Sequence, residues 1–133
     1  VVTEQVMRLE RGDLYQLYRA ADVYVHPALC EGFGIPIVEA MAAGKPVICV
    51  DAPPMNEHVS WRECLVRVDR SEVVDRGIVS FRMNFPDLRD MAEKIDWIVY
   101  AGREVWDDIG ARNVEIARKR YGLSVYREFQ KYV

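Results

Sequence analysis

Three consecutive stretches decide the fold: Val23-Tyr24-Val25-His26-Pro27, then Glu31-Gly32-Phe33-Gly34-Ile35-Pro36-Ile37-Val38-Glu39, then Pro46-Val47-Ile48-Cys49-Val50. The first is a short β-rich run that Pro27 stops. A loop, Ala28 to Gly34, follows with two glycines, and Pro36 sits where a first-turn proline belongs. Ile37, Val38, Ala40, Met41 and Ala42 predict a strongly apolar helix closed by Gly44. The third stretch is apolar at nearly every position, as in a parallel strand buried on both faces. The order is therefore strand, loop, helix, strand.

Working outward, Val1 to Leu9 reads as a weak strand broken by Gly12. Asp13 predicts a helix N-cap, with Leu14, Leu17, Tyr18 and Ala21 at helical spacing. Downstream, Asp51 to Pro54 is a turn and Asn56 to Ser60 a short helical turn. Cys64 to Val68 predicts a third strand and Ile78 to Met83 a fourth, joined by a charged, protruding loop over Asp69 to Gly77. Phe85-Pro86 would open a helix to about Tyr100, with Leu88, Met91, Ile95, Ile98 and Val99 on one face. A helix over about Glu104 to Tyr121 and a last one over Val125 to Tyr132 complete the chain. Strands separated by helices imply an α/β class: a partial Rossmann-like parallel sheet flanked by helices. Ligands bind such sheets at the carboxyl ends of the strands, which is where the loop Ala28 to Gly34 lies.

Composition narrows the function classes. The 133 residues fit one domain, 1–133, and half are hydrophobic. The net charge of −3 offers no general basic surface for nucleic acid. The cluster Arg112, Arg118, Lys119 and Arg120 is interspersed with Glu115 and apolar residues and reads as a solvated helix face. Three cysteines, Cys30, Cys49 and Cys64, without C-x-x-C spacing argue against a disulfide framework or zinc site, and favour a reducing, cytoplasmic setting. No apolar run is long enough to span a membrane. The first residue is Val1, and the chain reads as a piece of something longer.

The loop carries the chemistry. Two glycines let the backbone turn tightly and approach a ligand without Cβ clashes. The amides of Gly32 to Ile35 would point out of a helix N-terminus, a natural seat for phosphate or sugar oxygens. Pro36 has no N–H to compete. Glu31 and Glu39 would face one cleft, where carboxylates can accept paired hydrogen bonds from vicinal hydroxyls. The plain alternative is a common Gly-x-Gly helix start whose glutamates only complement the dipole.

In order and spacing, Tyr18-Arg19-Ala20-Ala21-Asp22-Val23, Pro27, Glu31-Gly32-Phe33-Gly34, Glu39-Ala40-Met41-Ala42-Ala43-Gly44-Lys45-Pro46-Val47-Ile48 and Pro53-Pro54-Met55-Asn56-Glu57 resemble glycosyltransferase family 4 and its GT-B relatives. The clear resemblance spans about Asp13 to Val59. It implies the donor-binding, C-terminal half of a GT-B fold, a nucleotide-diphosphate sugar as donor, retaining hexosyl transfer, and no metal or other cofactor. By the resemblance Glu39 would hold the donor ribose, Glu31 would contact the transferred sugar and be the catalytic residue, and the amides of Phe33, Gly34 and Ile35 would meet sugar hydroxyls and diphosphate.

Three departures stand beside this. Ala28 replaces a usual Ser, and no Gly occurs near Met7, in the region that usually meets the base. The resemblance implies preceding strand–helix units, with an Arg and a Lys that neutralise the diphosphate, and an acceptor-binding N-terminal domain, none of which these 133 residues contain. Lys45, at the far end of the helix, is badly placed to substitute, and a buried diphosphate without cations is costly. Weak donor binding and inefficient turnover are expected of this apparently truncated domain alone: an excised fragment, a short open reading frame, or a subunit needing a partner chain. The alternative is a non-catalytic nucleotide-sugar-binding module. An open sheet edge would favour a homodimer. His26, with no partner evident, reads as structural; Glu57 reads equally as a sugar contact or a cap or salt bridge. Trp61, Trp97 and Trp106 read as packing residues, and Tyr126, Phe129 and Tyr132 as one helix face.

Overall fold

The structure, a computed structural model, describes residues 9–124. The expected first strand and last helix, the residues near Met7, and the aromatic face of Tyr126, Phe129 and Tyr132 lie outside the described residues.

A three-stranded parallel sheet forms the centre, in the order β1 (Tyr24–His26), β2 (Val47–Val50), β3 (Leu65–Val66). Tyr24 pairs with Val47 and His26 with Cys49, while Cys49 and Val50 pair with Leu65 and Val66. Every residue of β2 is buried, as its unbroken apolar run requires of a middle strand covered on both faces. Helices α1 (Arg11–Ala20), α2 (Ile35–Ala42), α3 (Met55–His58), α4 (Leu88–Ala101) and α5 (Arg103–Tyr121) complete the layer. Ile37, Ala40 and Met41 of α2, Met55 of α3, Ile98 of α4 and Ile109 of α5 close over the strands.

Four segments differ from the sequence expectation. Helix α1 starts at Arg11 behind Glu10, which makes no side-chain cap; Asp13 lies in the first turn, where it complements the helix dipole. The charged segment after Asp69 is not a loop: β4 (Val68–Asp75) and β5 (Ser80–Pro86) form an antiparallel hairpin turned at Gly77. β4 and the start of β5 stand mostly in solvent, so no apolar alternation marks them, and Ile78, Val79 and Phe81 are exposed; only the end of β5, Met83 to Pro86, is half-buried or buried. Cys64 ends a 3₁₀ turn, and Val68 leaves the parallel sheet for the ribbon, so the expected third strand is cut to two residues.

The fourth difference is the start of α4. Phe85 and Pro86 end β5, and Asp87 caps the helix by accepting from the amides of Arg89 and Asp90. Its buried face is narrower than expected: Ile98 is buried and Met91 and Ile95 half-buried, but Leu88 and Val99 are exposed.

Helix α5 closes the domain by backbone proximity. A Cβ on Gly110 would sit 2.2 Å from the Gly44 carbonyl oxygen, so only glycine allows the approach. Three residues on, buried Asn113 donates to the Lys45 carbonyl at 2.8 Å. A Cβ on Gly12 would meet no other part of the described structure within 4 Å. Gly110→Ala should therefore lower stability by at least ~1–3 kcal/mol through overpacking, while Gly12→Ala should leave it unchanged or raise it by up to ~1 kcal/mol. Thermal denaturation of both variants checks the contrast.

Candidate functional site

Because the strands are parallel, their carboxyl ends share one edge. Three connections leave it: the loop Pro27 to Gly34 after β1, the turn into α3 after β2, and the hairpin after β3. The hairpin is tied to the first loop, since the Asn84 backbone N–H donates to the Leu29 carbonyl at 2.7 Å. Pro27, Leu29, Arg70, Phe85 and Arg89 line a groove of about 570 Å³ between them.

The two glycines of the loop are not equivalent. Gly34 is the N-cap of α2 with φ +87°, a left-handed conformation that favours glycine. A Cβ there would also meet Ile37 at 3.3 Å and the His58 ring at 3.5 Å. Gly32 is exposed, with nothing within 4 Å of its Cβ position. Neither backbone nor packing requires glycine at 32. Helix α2 then begins at Ile35 with Pro36 in its first turn, as expected; the Ile37 and Val38 N–H groups donate to the Gly34 carbonyl, which leaves the Ile35 N–H without an intrahelical partner.

A residue that sequence reasoning missed holds this turn. Buried His58, from α3, reaches the Phe33 carbonyl through Nε2 and the Tyr121 hydroxyl through Nδ1, the latter at 2.6 Å. A carbonyl only accepts, so Nε2 carries the hydrogen. The rings of Phe33, His58 and Tyr121 meet edge-on at 5.0–5.7 Å. Nothing local signals this cluster, because its members lie 25 and 63 residues apart from His58.

Glu31 and Glu39 have different partners. Glu39 accepts from the Tyr18 hydroxyl at 3.4 Å and lines a groove of about 770 Å³ with Leu14, Tyr18, Tyr24 and Pro36. Glu31 does not line that groove; its Oε1 lies 3.2 Å from His26 Nε2. Tyr24 joins the two halves: its hydroxyl is 3.0 Å from His26 Nδ1, and its ring packs edge-on against Tyr18 at 5.6 Å. Burial first, and then the charges of Glu31 and Glu39, raise the Tyr24 pKa. Burial and neighbouring Tyr24 and Glu39 likewise raise that of Tyr18. Both phenols therefore remain hydroxyl donors.

His26 thus has partners that the sequence reading lacked. Tyr24 lies two residues away on a strand, hence on the same face, which is a legible signal. Burial lowers the His26 pKa and outweighs the opposing pull of Glu31. Elsewhere, Lys45 is spent on the Arg19 carbonyl at 2.9 Å, and Arg120 donates to the Glu57 backbone carbonyl at 2.7 Å. The Glu57 side chain makes no ion pair among the described residues and is exposed. Cys30 is exposed; burial pushes the thiols of Cys49 and Cys64 up to about 12 and about 11, which makes them inert at neutral pH.

A family model described as "Glycosyl transferases group 1" matches residues 3–99. The chain belongs to the group 1 glycosyltransferases. Similar proteins include the O-antigen chain mannosyltransferase B of Escherichia coli, 49% identical over 47 residues, covering 35% of this chain and 12% of that protein. A glycosyltransferase of Sulfolobus islandicus rod-shaped virus 1, described as uncharacterized, is 43% identical over 52 residues (39% and 16%). The sucrose synthase of Melioribacter roseus is 25% identical over 122 residues, covering 88% of this chain and 13% of the enzyme. The chain therefore spans 12–16% of the length of these relatives. The parallel α/β layer of this group 1 glycosyltransferase corresponds to part of a Rossmann-like GT-B half. Among the described residues no helix is long and apolar enough to cross a membrane, and no three His, Cys, Asp or Glu side chains gather as metal ligands.

The histidine environment predicts a pH response. With its pKa lowered by burial, native His26 binds fewer protons than the unfolded chain just below the ordinary value of 6.5. Its contribution to stability is complete above that pH and declines as the pH falls through it. An NMR titration should place the His26 midpoint below 6.5; a midpoint above 6.5 would reverse the sign.

Proposed function

We propose that this chain is the donor-binding part of a retaining hexosyltransferase that takes a nucleotide-diphosphate sugar. The observation that carries the reading is the Gly34 turn at the carboxyl edge of the sheet. It opens α2, where the Ile35 N–H makes no hydrogen bond among the described residues, on the segment that also carries Glu31 and Glu39, two carboxylates of different surroundings. Glu39, in its groove beside Tyr18 and Leu14, would accept from the ribose hydroxyls. The amides of Phe33, Gly34 and Ile35 would receive diphosphate and sugar oxygens, favoured by the helix dipole. Open space at Gly32 would let the sugar approach the backbone. Glu31 would orient the transferred sugar and stabilise positive charge developing at its anomeric carbon. The acceptor's proton would leave on the departing phosphate, with the acceptor held by a separate domain or partner chain. No metal or further cofactor enters this scheme, and the free thiols fit a cytoplasmic setting.

One observation favours a second reading, a non-catalytic nucleotide-sugar module or a subunit completed by another chain. Lys45 is spent on a backbone carbonyl at the far end of α2, so it supplies no cation for the diphosphate.

Amide shifts on titration with UDP, GDP, ADP and their sugar conjugates test the site. Shifts confined to Gly32–Glu39 and favouring one base are expected. Glu39→Ala should weaken binding about tenfold, as loss of hydrogen bonds to a charged group does. Gly32→Ala should keep the wild-type melting temperature yet weaken the sugar conjugate more than the free diphosphate. No shifts at millimolar ligand would refute the reading; turnover by the chain alone would exclude the second one.

A further inference from the structure

His26 is buried, with 7% of its surface exposed, yet its Nε2 lacks a well-aligned hydrogen bond among the described residues. The group facing that nitrogen is Glu31 Oε1 at 3.2 Å. A carboxylate can only accept, so Nε2 carries the hydrogen, and the neutral ring is left with a bare Nδ1. The Tyr24 hydroxyl, 3.0 Å away, donates to that Nδ1. Tyr24 in turn packs edge-on against Tyr18, and the Tyr18 hydroxyl donates to Glu39. A line of side chains thus runs Glu31, His26, Tyr24, Tyr18, Glu39, three of its members carried by β1 and the loop after it.

We propose that His26 is a positioning residue that fixes the Glu31 carboxylate through its Nε2–H, with its own tautomer set by the Tyr24 hydroxyl. The proposal rests on the donor-site reading of Glu31. A glutamate on a glycine-flanked loop has several rotatable bonds, and the ring is a rigid, buried stop for it. Ligand binding on the far side of Glu31 aligns the 3.2 Å contact, since such bonds are often poorly aligned in the empty site and tighten when it fills. Through Tyr24 and Tyr18, the carboxylate proposed to meet the sugar shares one scaffold with the carboxylate proposed to meet the ribose.

The experiment has two arms on the full chain. Long-range ¹H–¹⁵N correlation spectra near neutral pH distinguish protonated from bare ring nitrogens. Nε2–H with bare Nδ1 is expected for His26; Nδ1–H with bare Nε2 would overturn the proposal, because such a ring cannot donate to Glu31. The second arm measures affinity for UDP-glucose and GDP-mannose. His26→Leu is expected to weaken the bound conjugate roughly tenfold, and His26→Gln, which keeps an N–H donor, to recover most of that loss. Tyr24→Phe leaves the imidazole in place and should weaken binding about threefold, which keeps the test decisive if His26→Leu does not fold. Wild-type affinity in folded His26→Leu or in Tyr24→Phe would overturn the proposal. If neither conjugate binds the wild type, the donor-site reading fails, and the tautomer spectrum still decides whether His26 holds Glu31.

Discussion

The left-handed backbone at Gly34 is the constraint on which the site depends. At φ +87° the chain reverses out of the loop after β1 and enters α2. His58 grips the carbonyl of the residue before Gly34, its ring lies in contact distance of where a Gly34 side chain would be, and the Tyr121 hydroxyl holds the other ring nitrogen, Nδ1. A non-glycine residue would cost about 1–3 kcal/mol in backbone strain alone. The fixation matters because helix N–H groups bind anions only if the helix start is well defined.

Packing explains why α3 and α5 are needed for a site that α2 and β1 carry. Helix α5 reaches α2 so closely because Gly110 lies against the Gly44 carbonyl and Asn113 binds the Lys45 carbonyl. That contact places the end of α5, with Tyr121, beside His58 and Phe33. The buried strand β2 sits between, with all four residues in the core, and sets the level at which all three carboxyl-end connections emerge. The hairpin β4–β5 adds a wall to one side of the loop through the Asn84 to Leu29 bond.

Much of this was legible in the sequence for a physical reason: the βαβ unit from Val23 to Val50 combines local signals that agree. Pro27 ends a strand, Pro36 opens a helix, Gly44 closes it, and an unbroken apolar run makes the middle strand. The parallel α/β class and the place of the loop followed from them. Of the ribbon, β5 was partly legible as the expected strand over Ile78 to Met83, whereas β4 was not, because Val68 to Asp75 is mostly charged or exposed and has no alternation to read. The cap of α4 was misread because Phe85-Pro86 looks like a helix start, whereas Asp87, one residue later, accepts the first amides. At the site, Tyr24 and His26 could have been paired by strand spacing. His58 and Tyr121 could not, since only the folded chain brings them to Phe33.

A crystal structure of the chain soaked with a nucleotide-diphosphate sugar tests the central claim most directly. Diphosphate density against the amides of Phe33 to Ile35, with the ribose on Glu39 and the sugar on Glu31, is the predicted result. Ligand density in the groove of Arg70 and Phe85 with the Gly34 turn bare, or a soaked crystal with the turn empty, would contradict it.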